Sequence, residues 1–154
     1  MKVSIIIPTR FRKDLTEVCI DSVIKYTKDF ELILVQEGED EEITKLLKSY
    51  PATFIHNRTP KGFSGAMNTG LAVARGDYYC FLNNDTVVVP GWIEEMMKAF
   101  ADNKVGLAAP TVSSPGNLQG VDLNVGQEFD YARDPLLIYG ICYLIPAKVM
   151  REIG

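Results

Sequence analysis

A doubly wound α/β sheet is the fold this sequence predicts, and three observations carry the prediction. Short apolar runs alternate with stretches of helical periodicity through the first ~110 residues. Each helical stretch is bounded by turn residues. The apolar runs end abruptly in polar ones, most sharply where Tyr78-Tyr79-Cys80-Phe81-Leu82 gives way to Asn83-Asn84-Asp85. In open sheets of this class ligands bind just beyond the carboxyl ends of the strands, so those polar endings are where function is expected.

Val3-Ser4-Ile5-Ile6-Ile7 is a β-branched run suited to a central parallel strand, closed by Pro8. Thr9-Arg10-Phe11-Arg12 follows as a polar loop. Lys13 or Asp14 then opens a helix whose apolar face is Leu15, Val18, Cys19, Val23 and Ile24. Glu31 to Val35 forms the second strand and empties into Gln36-Glu37-Gly38. A charged helix through Ile43, Leu46 and Leu47 leads to Pro51, and Thr53 to Ile55 is a short third strand.

After the loop from Asn57 to Gly62, a helix from about Phe63 to Arg75 buries Phe63, Ala66, Met67, Leu71 and Ala74. Gly65, Ala66 and Gly70 are small enough for close approach to a sheet or ligand. Asn68 faces the helix interior in this reading, its amide tying two loops together. Gly76 ends the helix, and the strand from Tyr78 to Leu82 follows. Val87 to Val89 is a brief extended segment. Pro90 begins a helix with Trp92, Ile93, Met96, Met97 and Phe100 on its apolar face. Val105 to Ala109 reads as another strand. Pro110 to Tyr131 is irregular, with a hairpin around Val121 to Phe129, and loops of that length are usually functional or disordered. Leu136 to Ile145 is one more buried strand, and Pro146 starts a last helix.

Length and composition set the outer bounds. With 154 residues, 47% hydrophobic and 23% charged, the chain is expected to form a single globular domain. Its net charge of −4 offers no footprint for nucleic acid. Cys19, Cys80 and Cys142 show no paired spacing and suit buried thiols in a reducing compartment, so a cytoplasmic location is expected. His56 is the single histidine, which excludes a histidine metal cluster. Val3 to Ile7 is too short for a signal peptide, and Leu136 to Ile145 falls short of the ~20 residues of a membrane helix.

Parallel strands joined by right-handed crossovers bring Thr9 to Arg12, Gln36 to Glu39, Lys61 to Gly65 and Asn83 to Thr86 to one edge. Their hydroxyls, cations and carboxylates suit a nucleotide diphosphate. Asp85 is the candidate ligand for Mg²⁺ or Mn²⁺, since hard-cation sites use one or two carboxylates with phosphate and water. Its other reading is a turn cap. Glu37 could accept hydrogen bonds from a base or ribose, or be a solvated loop acid. Thr9 and Phe11 could bond to and stack on a base, while Arg10, Arg12 and Lys61 could meet phosphate.

The segments Ser4 to Phe11, the strand ending near Glu37-Gly38, Lys61-Gly62 through Asn68-Thr69-Gly70, and Gly76 through Asn83-Asn84-Asp85 occur in a familiar order and spacing. Over about residues 3–110 the chain resembles the family 2 glycosyltransferases, and Pro90-Gly91-Trp92 and Tyr139-Gly140-Ile141-Cys142 resemble later family segments. The resemblance implies a GT-A fold, with residues 1–110 binding a nucleotide sugar and 111–154 forming a shortened acceptor part of one domain. It implies transfer of sugar from a UDP- or GDP-sugar to an acceptor hydroxyl, with inversion. The nucleotide-binding positions are then Pro8, Thr9, Arg10, Phe11, Glu37, Lys61, Gly62, Asn68, Asn83 and Asn84, with Mn²⁺ or Mg²⁺ on Asp85.

Two departures stand out. The first aspartate of the family's Asp-X-Asp motif is Asn83 here, and Gln36 or Glu37 replaces its base-binding aspartate. Inverting transfer also requires a carboxylate base. Asp122, Glu128, Asp130 and Asp134 stand in the long loop region, and no motif selects among them.

The alternative is a non-catalytic nucleotide-sugar binding module, inactive or completed by a partner chain, and a homodimer fits either reading. A sugar-phosphate nucleotidyltransferase would want a glycine-rich loop after the first strand, which Pro8-Thr9-Arg10-Phe11 does not supply. A plain flavodoxin-like scaffold is the fallback.

Overall fold

The structure is a computed structural model that describes residues 2–110 and 140–153. Its five strands are β1 (Val3–Thr9), β2 (Phe30–Glu37), β3 (Thr53–Asn57), β4 (Tyr78–Leu82) and β5 (Cys142–Pro146). The α-helices are α1 (Lys13–Tyr26), α2 (Glu41–Lys48), α3 (Gly62–Leu71), α4 (Trp92–Lys98) and α5 (Ala147–Ile153). The sheet order is β3-β2-β1-β4-β5. β1 pairs in parallel with both β2 and β4, β2 pairs in parallel with β3, and β5 runs antiparallel to β4.

That order contains a reversal. The chain winds outward through β2 and β3, then crosses back to lay β4 on the other side of β1. Pairing of β1 with β4 stops at Ile6↔Phe81, while β1 continues against β2 as far as Thr9↔Gln36. Pro8 brings no N–H with which to extend the ladder. The ends of β1 and β4 therefore part at the point where the winding changes direction, which is where such sheets bind ligands.

Both faces of the sheet are covered. Ile5, Ile7, Leu32, Leu34, Cys80 and Leu82 pack beneath α1, α2 and α4, while Ile6, Ile33, Val35 and Phe81 pack beneath α3. Alternate residues of one buried strand thus serve opposite layers, which is why the strands are continuously apolar. Gly70 lets α3 sit close: a Cβ there would lie 2.5 Å from Ile6 Cγ2.

The structure corrects several boundaries and faces. On α1 the inward residues are Thr16, Cys19, Ile20, Ser22 and Val23, whereas Val18 and Ile24 are exposed. The two hydroxyl residues are tolerated inside because they are paired: Ser22 Oγ donates to Cys19 O at 2.7 Å and accepts from Val88 N at 3.1 Å. α3 ends at Leu71 rather than Arg75, and Phe63 stands exposed. Val105 to Ala109 contributes only the bridge Ala108↔Leu144. The last strand runs Cys142–Pro146, while residues 136–139 of the expected strand and the expected hairpin around 121–129 lie outside the described residues. The cysteines are all free and buried, with Cys80 Sγ 3.9 Å from Cys142 Sγ.

Candidate functional site

The loops after β1, β2, β3 and β4 do gather along one edge, as the parallel pairing requires. The first and last of them are tied together. There the side-chain amide of Asn84 donates to Phe11 O at 2.9 Å and to Thr16 Oγ1 at 2.8 Å, tying the β4 loop to the β1 loop. Thr16 Oγ1 in turn donates to Arg12 O at 2.9 Å. Arg12 occupies the left-handed region at φ 63°, an uncommon conformation outside glycine. On the far side of β4, Asn83 N donates to Ile141 O at 2.9 Å, and Cys19 Sγ lies 3.4 Å from Asn83 O.

Among the described residues, the buried side-chain oxygens and nitrogens that lack a hydrogen-bond partner are Thr9 Oγ1, Asn83 Oδ1 and Thr86 Oγ1. All of them stand at the carboxyl ends of β1 and β4. A buried polar atom without a partner costs about 1–3 kcal/mol, so this end of the sheet carries hydrogen-bonding capacity that the fold itself leaves unused.

Asp85 projects from the same loop and is exposed. Its charge helps hold the Arg12 guanidinium protonated, after the larger effect of the hydrogen-bonded Asp14 carboxylate. Arg12 contacts Asp14 at 3.1 and 3.0 Å. Arg10 stacks over the exposed Phe11 ring, its guanidinium carbon 4.9 Å from the centroid. The crevice therefore joins orphaned oxygens, an exposed carboxylate, cations and an aromatic face. No cluster of three or more His, Cys, Asp or Glu residues forms a metal site among the described residues. One carboxylate with an amide oxygen nearby still fits a hard cation that takes its other ligands from phosphate and water.

The remaining sequence candidates fall into two groups. Pro8, Thr9, Arg10, Phe11, Asn83, Asn84 and Asp85 line the β1 and β4 loops, with Pro8 and Thr9 buried. Lys61 and Gly62 stand exposed at the start of α3. Glu37, however, is neither a solvated acid nor an open acceptor. It is 5% exposed, and its oxygens accept from Asn57 Nδ2 at 2.6 Å, Lys61 N at 2.6 Å and Gly62 N at 3.0 Å. Asn68 is also exposed and does not face the helix interior. The loop-tying role falls instead to its neighbour Thr69, whose hydroxyl accepts from Asn57 Nδ2 and Lys61 Nζ and donates to Gly65 O. Sequence reasoning missed Thr69, Thr16 and Thr86, since hydroxyl residues inside apolar stripes carry no signal until their partners are known.

The proposed base candidates Asp122, Glu128, Asp130 and Asp134 lie outside the described residues. A separate open depression of about 560 Å³, lined by Arg75, Tyr78, Tyr79, Lys148 and Arg151 among others, includes the amino end of β4 and is remote from this rim. No helix among the described residues is long and apolar enough to cross a membrane.

Comparison with known proteins is consistent across sequence and structure. The profile of the family described as Glycosyl transferase family 2 matches residues 4–133. An uncharacterized glycosyltransferase, EpsJ, of Bacillus subtilis strain 168 is 31% identical over 111 residues, covering 68% of this chain and 32% of that protein. The mannosyltransferase PcManGT from Pyrobaculum calidifontis, solved in complex with GDP-Man and Mn²⁺, superposes with a TM-score of 0.75 at 17% identity, covering 99% of this chain and 46% of that one. S. aureus TarS in complex with UDP-GlcNAc gives a TM-score of 0.61 at 17% identity over 70% of this chain and 33% of its own. The chain spans between 13% and 35% of the length of the curated relatives it matches.

Proposed function

This chain belongs to glycosyl transferase family 2 and has the GT-A fold, and from that premise we propose that it transfers a sugar from a nucleotide-diphosphate sugar to an acceptor hydroxyl. The observation that carries the proposal is the joining of the β1 and β4 loops by Asn84, which brings the exposed Phe11 ring, the Arg12 guanidinium and the exposed Asp85 carboxylate to the strand ends where the winding reverses. Thr9 and the exposed Phe11 ring would meet the base, and Arg10, Arg12 and Lys61 the phosphates. UDP- and GDP-sugars are the donor class, in keeping with the ligands of the two structural neighbours.

Asp85 and the Asn83 amide oxygen would hold Mn²⁺ or Mg²⁺. When bound, that ion offsets negative charge on the departing diphosphate. Arg12, always charged, has its guanidinium held further above its ordinary range by Asp14 and, more weakly, by Asp85. Asn84 acts indirectly, bracing the Phe11 and Thr16 side of the crevice. Asn68 is exposed on α3 and would be open to a ligand. An inverting outcome would require a base from outside the described residues.

The alternative is a nucleotide-sugar binding module, which would use the same donor site. Among the acids of the strand-end loops, Glu37 is bonded internally, Glu39 faces His56 and Arg58, and Asp40 caps α2. Asp85 is left to hold a cation. Only the enzyme turns over donor when acceptor is supplied.

The test is a thermal-shift series with UDP and GDP, with and without Mn²⁺. A ligand that binds only the folded state raises the melting temperature, by about 2.7 kcal/mol of stabilisation at a hundredfold excess over Kd. Asp85→Ala should abolish the metal-dependent part of the shift. Absence of a shift with every nucleoside diphosphate would defeat both readings.

A further inference from the structure

We propose that Glu37 is a positioning residue of the donor site, whose buried carboxylate fixes the Lys61–Gly62 turn so that Lys61, rather than the acid itself, meets the ligand. The inference rests on the donor-site reading above. Glu37 is the last residue of β2 and sits opposite Asn57 in the β2–β3 ladder. One carboxylate oxygen accepts from the Asn57 amide, and the other accepts from the backbone N–H groups of Lys61 and Gly62.

Those two N–H groups belong to the first turn of α3, where no intrahelical acceptor exists. The side chain of Lys61, the residue at the N-cap, makes no capping bond. A carboxylate from the neighbouring strand therefore does the capping, and it also complements the positive end of the helix dipole. Gly62 has φ 74°, a left-handed conformation that glycine adopts without strain. The bracket closes through Thr69, which accepts from Asn57 Nδ2 at 3.2 Å and from Lys61 Nζ at 3.3 Å.

Glu37 thus has its donors on the inner side and almost no exposed surface. Gln36 is spent similarly: its amide nitrogen donates to Gly38 O and Asp40 O, and its oxygen accepts from Thr44 Oγ1. Neither polar side chain at the end of β2 is turned toward the rim. Lys61 is exposed there, and its ammonium carries donors for a phosphate oxygen.

The experiment is calorimetric titration of UDP and GDP, each with Mn²⁺, into wild type, Glu37→Ala, Glu37→Gln, Lys61→Ala and the Glu37→Ala/Lys61→Ala pair, with thermal melts to establish folding. Glu37→Ala is expected to weaken nucleotide binding by about tenfold or more. Glu37→Gln should recover affinity to within about threefold of wild type, since its amide oxygen still accepts from both turn N–H groups once Asn57 turns its own amide over. In the Lys61→Ala background, Glu37→Ala should cost less than about twofold, because the two residues act in series.

Glutamine binding as poorly as alanine would overturn the proposal, since the charge itself would then be reading the ligand. So would wild-type affinity in Glu37→Ala, or an undiminished cost in the Lys61→Ala background. If Glu37→Ala does not fold, the same decision falls on Glu37→Gln: near-wild-type affinity beside a weakened Lys61→Ala supports the proposal, and a loss of about tenfold overturns it. A wild-type protein that binds neither nucleotide defeats the donor-site reading and this inference with it, whereas deviant Glu37 variants of a binding-competent protein defeat this inference alone.

Discussion

Asn84 reaches across the sheet's reversal point to Thr16, donating to its hydroxyl at 2.8 Å while also donating to the Phe11 carbonyl at 2.9 Å. Two segments more than sixty residues apart in the chain are thereby made into the two walls of one crevice. Asn84→Ala leaves both acceptors without this donor. It is expected to destabilise the fold by about 1–3 kcal/mol, measured by urea unfolding, and to weaken nucleotide binding through movement of the Phe11 loop.

Thr9 separates stability from function. Its hydroxyl is buried without a partner, so Thr9→Val removes an unsatisfied group at nearly constant shape. The urea midpoint of Thr9→Val should match or exceed that of wild type, while nucleotide affinity falls by about five- to tenfold, roughly 1–1.4 kcal/mol. A lower urea midpoint with unchanged affinity would show that the hydroxyl serves the fold alone.

The contact of Gly70 with Ile6 sets how close α3 lies to the sheet. A methyl group there would sit 2.5 Å from Ile6 Cγ2 and 3.3 Å from Val35 Cγ2, both in the core. Gly70→Ala should therefore cost about 1–3 kcal/mol of stability despite alanine's better helix propensity. Phe63→Ala at the exposed start of the same helix should stay within about 0.5 kcal/mol of wild type. Chemical denaturation of the two variants side by side checks both statements.

The cysteines give a pH signature. Burial pushes the Cys19 thiol up to about 12, and burial with the neighbouring Cys142 raises Cys80 strongly. A thiol whose folded pKa is raised stays protonated in the native state while the unfolded chain ionises near ~8.5. Its contribution is complete below that pH and is lost as pH rises toward the folded value. Native protein should resist iodoacetamide at pH ~8 until denaturant is added, and the urea midpoint should fall above pH ~8.5, less steeply in Cys19→Ala.

Much of this was legible in the sequence because β-branched runs and abrupt polar endings announce buried strands and the loops that follow them. Tyr78–Leu82 and Asn83-Asn84-Asp85 fell where expected. The direction of β5 was not legible, since an apolar run reads the same in either sense. The inward face of α1 was misplaced because Thr16 and Ser22 look like surface residues until Asn84 and Val88 arrive to pair with them. Glu37 was misread for the same reason. An acid at a strand end looks open until the N–H groups of Lys61 and Gly62, 24 and 25 residues on, are seen to occupy it.

The opposed course of β5 has an architectural outcome. Because that strand starts where its neighbours finish, Ile141 docks against Asn83 at the rim, and the chain enters the sheet there instead of leaving it. A segment grafted ahead of β5 can grow or shrink without disturbing the ladder from Cys142 to Pro146. One flank of the cleft thus rests on strands that run together, and the other is pinned by the bond from Asn83 N to Ile141 O where the opposed strand sets out.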